Sequence, residues 1–209
     1  MSKNKEFKEE LEKIVNIFFL CKESYLVLRE LHRTENSSEY IIDLKYNNSF
    51  LILTKVNYWR VIVLQLSKLF IEKERYSLIK FLTKCKKGNY FQILNVDQEF
   101  IENELEKINS QKYKIDNIKL QRDKIFAHED SNRNEVINDI TLDEAKELLD
   151  LCQNIIFEIY FEILDTQYEF EIANSPEWNL KNLLKKLDEM HLQRSDDRKD
   201  ILKLLRRKQ

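Results

Sequence analysis

The chain carries one glycine, Gly88, and one proline, Pro176, in 209 residues. Tight hairpins draw on glycine for their positive-φ corners, so a sheet protein is hard to assemble from this sequence. Helix interiors need neither residue. The expected fold class is therefore all-α, an up-and-down helical bundle of about six to eight helices.

Periodicity places those helices. Leu11, Ile14, Val15, Phe18, Cys21 and Tyr25 recur at three- and four-residue steps, predicting a helix from about Phe7 to Leu31 that the polar "HRTENSSEY" ends. A second long helix is expected from Ser49 to about Ile71, apolar around most of its circumference, as a central bundle helix is. "YSLIKFLTKCKKGN" reads as a shorter helix closed by lysines and Gly88. "NYFQILNV" reads as a connector, with a short strand as the alternative. A charged helix from Asp97 to about Ile108 and another from Ile115 to Ala127 follow, and "HEDSNRNEVIND" lacks apolar periodicity and reads as a loop. Thr141 and Glu144 have capping-box spacing, opening a long helix through Tyr168. Ser175 before Pro176 is an N-cap followed by proline at the first helical position, opening "EWNLKNLLKKLDEM"; a last basic helix is expected in "ILKLLRRK". The organisation expected is one helical domain over residues 1–170, with a C-terminal helical extension over 171–209 packed on it.

Charge and cysteine usage narrow the function classes. Lys and Arg number 35 against 37 Asp and Glu, so no global charge draws the chain to nucleic acid or an anionic membrane. A nucleic-acid partner must be met by a local patch. Cys21, Cys85 and Cys152 are scattered inside apolar runs and read as buried free thiols, which suits a reducing cytoplasm. The N-terminus has no apolar signal-peptide core, and Lys55, Arg60 and Lys68 interrupt the most apolar stretch, Phe50 to Ile71, so no membrane span is expected. A single glycine excludes a glycine-rich phosphate loop. His32 and His191 lack a second His or Cys at metal-ligand spacing, and no metal or other cofactor is expected. Tyr58, Trp59, Phe157, Tyr160 and Phe161 stand at helical spacing and read as core.

One stretch breaks the pattern. In "KLQRDKIFAHED" the apolar stripe of Ile115, Ile118, Ile125 and Phe126 has Arg122 at its middle, and His128 lies six residues on, where the helix ends. A buried guanidinium must be answered by a partner. On one helix the two side chains lie about 120° apart, too far for a tight pair, but two copies meeting at a symmetry axis could bring two arginines and two histidines together. Arginine offers a donor fork that matches phosphate oxygens, and histidine exchanges a proton near neutrality. RNA supplies its own 2′-hydroxyl nucleophile, so this pair suffices for transesterification without a metal. The alternative reading pairs Arg122 with a buried carboxylate and leaves His128 as a helix terminus.

The string "RDKIFAHED" resembles the signature of the HEPN superfamily (higher eukaryotes and prokaryotes nucleotide-binding), with Arg122, Asp123 and His128 at its positions and Ala127 and Asp130 fitting a common local form. Upstream, "NYWRVIVLQLSKLFIEKERYSLIKFL" is similar to the long aromatic-rich helix and short following helix of the abortive-infection branch. The resemblance covers about residues 5–170. It implies a dimerising helical bundle in which Arg122 and His128 of both copies converge on RNA. Arg122 would bind the scissile phosphate, His128 act as general acid/base, and Asp123 orient Arg122 or the neighbouring loop. The activity implied is a metal-independent endoribonuclease of the toxin or phage-defence type, with RNA as substrate, a second copy as partner and a cognate antitoxin or inhibitor protein beside it. The same resemblance also admits a catalytically silent module that dimerises or binds a protein or ligand.

Overall fold

The computed structural model describes residues 3–91, 96–126, 140–172 and 175–206. Among them there are eight helices and no strand: α1 (Lys3–His32), α2 (Glu39–Asn47), α3 (Ser49–Phe70), α4 (Leu78–Cys85), α5 (Gln98–Ser110), α6 (Lys112–Phe126), α7 (Leu142–Leu164) and α8 (Pro176–Arg206). No described helix is long and apolar enough to cross a membrane. The chain divides into two compact units, Met1–Tyr25 with Trp59–Glu171, and Leu26–Tyr58 with Ile172–Gln209.

The first unit holds the larger core. Its α1 segment buries Phe7, Leu11, Ile14, Phe18 and Cys21, its α3 segment buries Ile62, Val63, Leu66, Leu69 and Phe70, and α7 adds Leu148, Cys152, Ile155, Ile156 and Ile159. Removing side chains of this size from water contributes about 1.5–3 kcal/mol each before chain entropy is set against it. Phe7 stacks obliquely on Phe81 at 4.9 Å and meets Phe91 edge-on at 5.4 Å, which seats α4 and the turn after it. α5 packs against α4, α6 and α7. The helix starts are capped by side chains that accept otherwise open N–H groups. Ser77 accepts from Lys80 N, Asp97 from Glu99 N, and Thr141 and Glu144 satisfy each other's backbone in a complete capping box.

In the second unit α2 packs on α8. The Ser38 hydroxyl accepts from Ile41 N at 3.2 Å and donates to Asp188 Oδ1 at 2.6 Å, tying the α2 cap to α8. Lys45 is buried, and its ammonium donates to the carbonyls of Glu30 at 2.9 Å and Arg33 at 2.7 Å. A cation there meets the open acceptors and negative dipole end of α1.

Several expectations are corrected. Helix α2 was not anticipated, because Lys45 stands where its short apolar stripe asks for a hydrophobic residue. The α7 helix stops at Leu164, short of Tyr168, because Asp165 turns left-handed at φ 48° and its N–H bonds back to Tyr160 O. The two C-terminal helices are one 31-residue helix, since "HLQRSDDRKD" contains no breaker and pairs such as Lys199–Asp196 run along it. Apolar character all round α3 does not mean burial all along it: Phe50 is 72% and Leu53 57% exposed. Phe157 and Phe161 are not core either. They are exposed and stacked on each other, 6.3 Å between centroids. Residues 89–91 of the expected connector form a turn, while 92–95, Ala127 and the loop expected over 128–139 lie outside the described residues.

Candidate functional site

Helix α6 presents the motif. Its buried face is made by Ile115, Asn117, Ile118 and Gln121, while Asp116, Lys119, Leu120 and Asp123 are exposed. At 100° per residue Arg122 sits about 60° round from the middle of that buried arc, between Ile118 and Ile115. The arginine side chain is 22% exposed and reaches the surface.

Two carboxylates hold the guanidinium. Arg122 Nε donates to Asp123 Oδ1 at 2.9 Å, and Nη2 lies 2.9 Å from the same oxygen. Nη1 donates to Glu74 Oε1 at 2.7 Å. Glu74 stands on the turn after α3, whose backbone is fixed by its own N–H donating to Ile71 O at 3.0 Å. The carboxylates are themselves part-exposed, at 36% for Glu74 and 50% for Asp123, so neither is the buried partner that the alternative reading envisaged. A guanidinium carries five N–H donors, about two more than these contacts use. An oxyanion can therefore meet Arg122 directly, and more strongly once Glu74 moves aside.

Asp123 is thus brought onto Arg122, whereas His128 lies outside the described residues. Glu74 was missed. It lies in the charged connector "IEKERYS", where nothing local marks it, and the only cue is that an arginine among apolar neighbours needs an acceptor.

The remaining titratable groups have other roles. Burial pushes the Cys85 thiol up to about 12 and also raises Cys21 and Cys152, so the three free thiols are held neutral, as expected of core cysteines. His32 is held below its ordinary value, first by desolvation and then by Lys55. His191 stacks on Tyr40 at 3.8 Å with nearly parallel rings. Among the described residues no group of three or more His, Cys, Asp or Glu is placed to hold a metal ion.

No curated protein and no solved structure matches the chain. A family model does: HEPN_AbiU2, described as AbiU2, matches residues 4–179, which takes in the first seven helices, the Arg122 motif and the start of α8. The all-α bundle, the motif on α6 and that match agree, and the chain belongs to the HEPN_AbiU2 family, in the abortive-infection-like branch of the HEPN superfamily.

Proposed function

We propose that this chain is a metal-independent endoribonuclease of the toxin or abortive-infection type, acting at a site completed by a second copy of itself. Arg122 binds the scissile phosphate and Asp123 orients it. The 2′-oxygen of RNA attacks phosphorus as His128 takes its proton, the bond to the 5′-oxygen breaks, and that oxygen leaves with a proton returned by histidine. The products are a 2′,3′-cyclic phosphate and a 5′-hydroxyl. RNA brings the nucleophile, so this chemistry calls for no metal and no cofactor. The carrying observation is the part-exposed Arg122 fork, braced at Nε by Asp123. The branch to which the chain belongs supports a module of abortive infection. A cognate antitoxin or inhibitor protein is the partner that a toxin of this type needs.

The test is RNA cleavage in excess EDTA. Wild-type protein yields 2′,3′-cyclic ends, and Arg122→Ala and His128→Ala each lose the activity while keeping helical content. Sedimentation at micromolar concentration shows a dimer; a monomer sinks the shared site.

A second reading has its own support in the Arg122–Glu74 pair, which occupies the fork that phosphate needs. In it the chain is a catalytically silent module that dimerises or binds a protein or ligand, as the sensor or partner subunit of a defence system. A folded dimer that cleaves no class of RNA and is harmless when overexpressed selects it.

A further inference from the structure

Helix α7 turns two unlike faces in opposite directions. Leu148, Cys152, Ile155 and Ile159 fill one arc and are buried. At 100° per residue Asp150, Asn154, Phe157 and Phe161 lie half a turn away, and all of them are exposed. The rings of Phe157 and Phe161 are within 5° of parallel. Turned away from the core, they leave aromatic carbon in water, a cost that a covering surface would remove.

The charges around the rings share one sign. Glu158 and Glu162 each follow a phenylalanine by one residue and so line one flank of the pair; among the described residues no ion pair engages either. On the other flank stands Tyr160, whose phenol is pushed up to about 12 by burial, then by Tyr168 and the Glu12 carboxylate of α1. The helix also ends here, capped by the exposed Asp165, and its last turn holds no basic residue to meet the negative end of the dipole. Lys146, further up the helix, is paired with Asp150. The rings therefore sit in a negative field that nothing on their own helix neutralises.

We propose that this face of α7 is a docking surface for an arginine-bearing segment of a partner protein. Guanidinium planes lie on the rings of Phe157 and Phe161 and donate to Glu158 and Glu162. Arginine suits the face better than lysine, because its planar fork stacks and binds a carboxylate at once. RNA is the wrong occupant, since its phosphates would meet the carboxylates. A small molecule calls for a concave pocket, which an exposed helix face does not provide. Neither Arg122 nor His128 takes part, so the surface stands independently of the ribonuclease reading.

Fluorescence anisotropy at low salt tests it on the full chain. The probes are a labelled helical peptide of arginine, leucine and alanine, its counterparts with lysine or glutamate for arginine, and an oligoadenylate RNA. The arginine peptide binds with a sub-millimolar Kd, about threefold or more tighter than the lysine peptide, and the glutamate peptide does not bind. Phe157→Leu/Phe161→Leu keeps the apolar bulk but removes the π faces, and it erases most of the lead of arginine over lysine. Glu158→Gln/Glu162→Gln weakens both cationic peptides by about tenfold or more. Asp196→Asn/Asp197→Asn takes the same charge from α8 and leaves binding as in wild type. Every variant keeps wild-type helical content. Absence of arginine-peptide binding at millimolar concentration overturns the proposal, and so does binding that survives Glu158→Gln/Glu162→Gln. An equal loss in the α8 variant overturns it by reducing the attraction to net charge. Oligoadenylate affinity that falls in Phe157→Leu/Phe161→Leu assigns the rings to base stacking and overturns it as well.

Discussion

Arg122 on α6 is paired with Glu74 from 48 positions earlier in the chain, Nη1 to Oε1 at 2.7 Å, across the turn that leaves α3. With both groups part-exposed, the pair adds little to stability, under about 1 kcal/mol. Its larger effect is on what else Arg122 can hold. Glu74→Gln is expected to leave the urea midpoint nearly unchanged and to raise affinity for short RNA about threefold or more at low salt, measured by fluorescence anisotropy. Unchanged or weaker RNA binding would mean that Glu74 braces the fork without competing for it.

Lys45 should be the most sensitive charge in the second unit. Lys45→Met strips the Glu30 and Arg33 carbonyls of their donor and leaves the Glu30 carboxylate buried without a counter-charge. The expected cost is about 3 kcal/mol or more, part of which returns when Glu30→Gln is added. A double-mutant cycle in chemical denaturation reads the coupling, and strict additivity of the two substitutions would contradict it.

His32 gives the second unit a mild acid sensitivity. Its folded value lies below the ordinary 6.5, mainly through desolvation and secondarily through Lys55. Between those two values the unfolded chain binds more protons, so stability falls as pH drops from 6.5 through the folded value and then levels off. Proton NMR of the imidazole should give a midpoint below 6.5. In Lys55→Ala that midpoint should rise without reaching the ordinary value, because desolvation remains.

The three thiols should be silent in the native state. Cys21 and Cys152 are fully buried, and Cys85 is pushed up to about 12, so raising the buffer from pH 7 to pH 9 creates almost no thiolate. A thiol-reactive dye is expected to label none of them before unfolding and all three in denaturant. Rapid labelling of any one in the native protein would reveal an opening motion at its helix.

What could be read from the sequence, and what could not, divides along physical lines. Thr141 with Glu144 and Ser175 with Pro176 mark helix starts because capping is decided by residues within one turn. The core positions of α1 followed from periodicity for the same local reason. Helix α2 was hidden because Lys45 earns its burial from carbonyls on another helix, and Glu74 because its partner is 48 residues away. The exposed stack of Phe157 and Phe161, and the bare first half of α3, were misjudged since composition says that a surface is apolar and not whether anything covers it. At the candidate site, Arg122 and Asp123 were legible as a motif, and the partial exposure of Arg122 emerged only with the structure.

Left-handed corners occur at Asn36 (φ 59°) and Asp165 (φ 48°) as well as at Gly88 (φ 86°), so asparagine and aspartate serve where most chains would place glycine. The consequence belongs to the unfolded ensemble. An average chain of this length holds about 15 glycines, each a loose joint whose freedom is lost on folding. With a single such joint the denatured chain is stiffer and begins closer to the helical basin, at a local cost in strain that falls, among the described residues, on two corners. Part of this bundle's stability therefore resides in states that never pack a core at all, and replacing Asn36 or Asp165 by glycine would relax the corner while loosening the chain it must fold from.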